Sequence, residues 1–138
     1  MNSFSYDEIP VGYAYEFTVD VGDEKQMMFR DLSGDINPLH IDKNFAVQKG
    51  FNDKVVYGML TASYYSTLVG LFIPGEKCLI REMDLKFPKP VYINDTLTIK
   101  GEVVEKNDTF KLLTIKGTIK NQQGVTVSKA KIKVGVLE

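Results

Sequence analysis

Val55-Val56-Tyr57-Gly58-Met59-Leu60-Thr61-Ala62-Ser63-Tyr64-Tyr65-Ser66-Thr67-Leu68-Val69-Gly70-Leu71 decides the fold. No charge occurs from Val55 to Ile73, and no other part of the chain is as apolar. A helix that is apolar or small on nearly all sides belongs in the middle of a domain. The pattern predicts a helix that begins at Gly58 and is stopped by Pro74-Gly75. At helical spacing Tyr64, Tyr65, Leu68 and Leu71 read as core.

Downstream of this helix the hydrophobic period changes to two. Strands are predicted over Cys78–Phe87, Leu97–Val104, Lys111–Ile119 and Val125–Val136. Asn94-Asp95, Asn107-Asp108 and Gln123-Gly124 supply the turns between them. Apolar and charged residues alternate in Thr114–Lys120 and Lys129–Val134, giving one dry face and one wet face, as in an antiparallel meander.

Upstream, Tyr13–Val21 reads as a strand. Asp23 reads as a helix N-cap with Gln26 at the capping-box position. The helix it opens covers Glu24–Leu32, with Met27, Met28 and Leu32 as its apolar face, and Ser33-Gly34 ends it. Asp42 caps a second short helix, Lys43–Gln48, ended by Gly50. This order predicts one α+β domain over residues 1–138, a long antiparallel sheet curled around a central apolar helix.

Composition narrows the function classes. A formal net charge of −1 gives no basic footprint for nucleic acid. One histidine and one cysteine exclude an internal disulfide framework and a nitrogen/sulfur zinc site within one chain. Cys78 reads as a small buried residue. Met1–Tyr6 lacks a basic region followed by an apolar run, and no uninterrupted apolar stretch is long enough to span a bilayer. The expected location is the cytoplasm, with no membrane partner.

The chemistry concentrates in Ser33-Gly34-Asp35-Ile36-Asn37-Pro38-Leu39-His40. His40, the sole histidine, follows Asp35 by five residues across an Asn-Pro turn. A residue before proline is pushed out of the α region, so the turn is read as non-helical. An acid and an imidazole held close in this way point to a general acid/base pair.

Phe29–His40, continued by Phe45-Ala46, resembles the hydratase-2 signature of the MaoC-like dehydratases and (R)-specific enoyl-CoA hydratases. The likeness extends through Val56–Leu60, Ala62-Ser63, Phe87, Pro90-Val91 and the Asn94-Asp95 turn. It implies a hot-dog fold and reversible hydration of trans-2-enoyl thioesters to (R)-3-hydroxyacyl thioesters. One departure stands out: many relatives carry histidine where this chain has Tyr57.

Hydration requires a water activated toward C3, a proton for C2, and stabilisation of the thioester oxygen. Asp35 and His40 are expected to share the first two tasks, and the backbone N–H of Gly58 the third. Asn37 is expected to orient the loop, and Tyr57 to donate a hydrogen bond. By the resemblance, Ser66 and Val69 line the acyl pocket. Lys86 and Lys89 are candidates for the phosphates of CoA or of an acyl-carrier protein. No metal or redox cofactor is implied. Sheet edges that need a partner point to a homodimer or a larger assembly of dimers. Two other readings compete. Thioesterases of this fold usually carry a carboxylate on the central helix, and Gly58–Leu71 has none. A non-catalytic acyl-thioester-binding subunit would have lost the pair that this chain retains.

Overall fold

The computed structural model describes residues 1–138. Five strands form one antiparallel sheet: β1 (Ala14–Asp20), β2 (Cys78–Lys86), β3 (Thr96–Asn107), β4 (Leu112–Lys120) and β5 (Thr126–Val136). The helices are α1 (Asp23–Ser33), α2 (Pro38–Ile41), α3 (Lys43–Gln48) and α4 (Gly58–Leu71). The sheet wraps α4 in a hot-dog arrangement. No helix is long and apolar enough to cross a membrane.

Spatial order in the sheet is β1-β3-β4-β5-β2, so only β3, β4 and β5 form a meander. The sequence shows the strands but not their neighbours. β2 passes over to pair with β5, and β1 pairs with β3, which leaves β1 and β2 as the two edges.

The dry face of the sheet supplies Leu97, Ile99, Val103, Leu113, Ile115, Ile119, Ile132 and Val134 to a core closed by Tyr65, Leu68 and Val69 of α4. Two glycines set the closeness of helix and sheet. Gly101 and Gly117 face each other across β3 and β4. A Cβ on Gly101 would lie 2.5 Å from the Leu68 side chain, and one on Gly117 would lie 2.6 Å from the Tyr65 ring. The Tyr65 hydroxyl still finds a partner, Ser128 Oγ, at 3.1 Å.

Three expectations change. First, α4 is not enclosed on all sides: Met59, Ser63, Ser66 and Leu71 lie on an exposed face. Second, Gly22, not Asp23, is the N-cap of α1, and no side chain caps that helix. The buried residue of α1 is Gln26, whereas Met28 and Leu32 are 68% and 84% exposed. Third, the Asn-Pro turn runs straight into a helical turn. Asn37 keeps the extended backbone required before proline (ψ 125°), and Pro38 then opens α2 as its first residue.

Candidate active site

His40 sits on the single turn of α2, held from three sides. Its Nδ1–H donates to the Val55 carbonyl at 2.7 Å. This bond fixes the tautomer, leaving Nε2 as the unprotonated nitrogen of the neutral ring. The Tyr57 ring lies against the imidazole, with centroids 4.1 Å apart and planes 30° apart. Tyr57 also meets Phe29, centroid to centroid at 5.0 Å.

Gln26 ties these parts together. Its Nε2 donates to the carbonyls of His40 at 2.9 Å and Val55 at 3.0 Å, and its Oε1 accepts the Tyr57 N–H at 3.3 Å. One buried amide thus fixes the backbone of the imidazole, of the imidazole's acceptor, and of the residue preceding Gly58. Sequence reading assigned Gln26 to a helix cap. A polar residue on a helix one turn from its start carries no sign that it turns inward.

Asp35 lies on the exposed loop after Gly34, which closes α1 in the left-handed region (φ 74°). Its carboxylate Oδ1 accepts the Asn37 N–H at 3.0 Å, and Asn37 Oδ1 accepts the Leu39 N–H at 3.0 Å. Asn37 therefore shapes the loop, as expected of asparagine in a turn. Asp35 and His40 share no hydrogen bond. The link between them is Tyr57, whose hydroxyl donates a short bond to the Asp35 carbonyl. Burial first, and then the Asp35 charge, push that phenol above its ordinary value, so it stays a donor.

A cavity of about 290 Å³ opens beside His40, lined also by Gly58, Thr61, Phe87, Lys89 and Val127. Gly58 is the first residue of α4, which no side chain caps, so its N–H is one of the free donors of a helix start. Of the predicted site residues, the cavity brings together His40 and Gly58. Tyr57 is buried beneath His40 rather than open to the cavity. Val69 is sealed in the core, and Ser66 lies on the exposed face of α4. Lys89 reaches the cavity rim. Lys86 belongs instead to a hollow of about 360 Å³ on the wet face of the sheet, with Lys116, Lys129 and Lys131.

Residues 8–131 match the MaoC like domain. The chain belongs to the MaoC-like family. An (R)-specific enoyl-CoA hydratase from Aeromonas caviae is 32% identical to this MaoC-like chain over 120 residues, 87% of this chain and 90% of that protein. A 3-hydroxybutyryl-CoA dehydratase from Methylorubrum extorquens is 28% identical over 100 residues, 72% of this chain and 64% of that one. The unliganded R-hydratase of Pseudomonas aeruginosa aligns with a TM-score of 0.90 at 28% identity, over 97% of this chain and 86% of that structure. By their names, these relatives are hydro-lyases.

Proposed function

We propose that this MaoC-like chain hydrates trans-2-enoyl-CoA thioesters reversibly to (R)-3-hydroxyacyl-CoA thioesters. The observation that carries the reading is the His40 Nδ1–H bond to Val55, which leaves a basic Nε2 on a ring that shares its cavity with Gly58. The hydratase and dehydratase names of the relatives support the reaction class and the CoA carrier.

In the hydration direction, water adds through oxygen to C3. The proton it loses passes to the Asp35/His40 pair, and a proton from the pair enters C2. Charge that moves onto the thioester oxygen meets the Gly58 N–H. Each acid/base role contributes about 10²–10⁴-fold in rate. The reaction adds water without change of redox state, so the reading assigns no redox cofactor. Asn37 and Tyr57 act on the loop and the ring rather than on the acyl group. Ser66 serves an acyl pocket only if the exposed face of α4 is covered, whereas Val69 lies in the core, off that face.

We assign that cover to a second copy of the chain. β2 is an edge strand with Leu79 and Ile80 exposed, and an unpaired edge needs pairing or protection. Ile36, next to Asp35, is 70% exposed. A homodimer whose interface also covered Ile36 would take Asp35 out of bulk water.

Crotonyl-CoA hydration, followed by loss of enoyl-thioester absorbance with chiral analysis of the product, tests the proposal. The expected result is (R)-3-hydroxybutyryl-CoA, with activity lost in Asp35→Asn and His40→Ala. Release of free CoA instead would move the protein to the thioesterases. Binding without turnover would make it a non-catalytic subunit. Light scattering on the purified protein reads the assembly.

A further inference from the structure

Thr61 lies three residues beyond Gly58 on α4, on the same face of the helix, and lines the cavity shared by His40 and Gly58. It is 1% exposed, and its Oγ1 is a buried side-chain oxygen with no hydrogen-bond partner in the protein. Threonine inside a helix commonly relieves such burial by bonding a carbonyl three or four residues back. Here the Tyr57 carbonyl accepts the Thr61 N–H at 3.1 Å, and the hydroxyl takes no part. Its cavity neighbours Val56, Phe87, Val91 and Val127 are apolar. Valine would fill the same space without stranding a polar group, so packing gives no reason for a hydroxyl there.

Helix geometry suggests a use. Side chains tilt toward the helix N-terminus, so a residue in the second turn covers the first. The Thr61 side chain therefore leans toward the end of α4 where Gly58 presents its N–H. Rotation about one bond carries the hydroxyl between the two staggered positions open to a helical threonine. We propose that Thr61 is a second oxyanion donor: its hydroxyl bonds the thioester oxygen beside the Gly58 N–H as that oxygen gains charge. The inference rests on the hydration reading above.

Thr61→Val and Thr61→Ser are measured beside wild type for crotonyl-CoA hydration and thermal melting. In Thr61→Val, kcat falls by about 10²-fold, the low end for loss of one oxyanion donor, while KM changes little. Thr61→Ser, which keeps the hydroxyl, stays within a few-fold of wild type. The melting temperature of Thr61→Val is equal to or above that of wild type, because the substitution removes a buried unpaired oxygen. Wild-type kcat in Thr61→Val would overturn the inference. So would a rate loss accompanied by a lowered melting temperature and not restored by serine, because that pattern belongs to packing. An inactive wild type would instead refute the hydration reading itself, a separate and visible failure.

Discussion

Gln26→Met is the sharpest perturbation of the site, because it removes three hydrogen bonds from one buried point and leaves the shape nearly unchanged. The Val55 carbonyl keeps the His40 Nδ1–H as a donor. The Tyr57 N–H and the His40 carbonyl lose the amide that serves each of them. Leaving a buried polar group unpaired costs about 1–3 kcal/mol, so two groups cost about 2–6 kcal/mol. That is a large share of the roughly 5–15 kcal/mol that holds a domain folded. For a chain of this size each kcal/mol lowers the melting temperature by roughly 3–5 °C, so a drop of about 6–30 °C is expected. Catalysis falls as well, since the backbone carrying the imidazole is no longer tied to the backbone preceding Gly58. A small misplacement of reacting groups can cost about 10²-fold. Melting curves and crotonyl-CoA kinetics, taken well below the variant's transition, separate the two effects. An unchanged melting temperature would refute the buried network. A lowered melting temperature with wild-type kcat would show that the network holds the fold without positioning His40.

Gly58→Ala folds like wild type, because its new Cβ lies 3.6 Å from the Phe87 ring, an ordinary contact. The methyl narrows the approach to the Gly58 N–H, so kcat/KM falls while the melting curve stays in place. Tyr57→Phe keeps the ring against His40 but loses the hydroxyl bond to the Asp35 carbonyl. It costs about 1 kcal/mol by melting and lowers kcat, and a wild-type rate would show that the Asp35 loop needs no tether. Burial pushes the Cys78 thiol up to about 11. An unfolded thiol titrates near ~8.5, so between these values the native state holds the proton more tightly and stability falls as pH rises. Melting temperatures measured from pH 8 to 11 decline less steeply in Cys78→Ser, and parallel declines would refute the assignment.

The fold was legible where local physics acts alone. An uncharged stretch from Val55 to Ile73 announces α4, and the Gly58 start stands as predicted because no earlier residue of the stretch continues the helix. Asp42 caps α3 as read, its carboxylate accepting the Phe45 N–H at 3.2 Å. The failures share another cause, which is contact between segments distant in sequence. Nothing in Cys78–Lys86 says that β2 will pair with β5 rather than β3, because alternation fixes which face is dry and not which strand lies beside it. Nothing in α1 says that Gln26 turns inward while Met28 and Leu32 turn outward. The decision is made by three backbone groups brought in from residues 40, 55 and 57.

The same division runs through the site. The residues to name are visible in the sequence, because an acid, a proline and the only histidine stand within six positions. How they are held is not visible. The histidine is anchored by a carbonyl fifteen residues away, and the aspartate loop by a phenol twenty-two residues away. Both anchors come from the Val55–Tyr57 segment that leads into α4, so the segment that starts the central helix also carries the supports of the proposed acid/base pair. This gives Tyr57 a physical role distinct from contact with substrate. With its ring against the imidazole and its hydroxyl on the Asp35 carbonyl, it couples the two groups that share no direct bond. A histidine at that position would be too short to reach as far along the same line, so Tyr57→His should loosen the Asp35 loop while leaving the His40 Nδ1–H bond to Val55 in place. Because Tyr57→His gives up the ring contact as well as the hydroxyl, the kinetic signature is a loss in kcat that exceeds the loss in Tyr57→Phe, and an equal loss would mean that the hydroxyl tether, not the ring, is what the site uses.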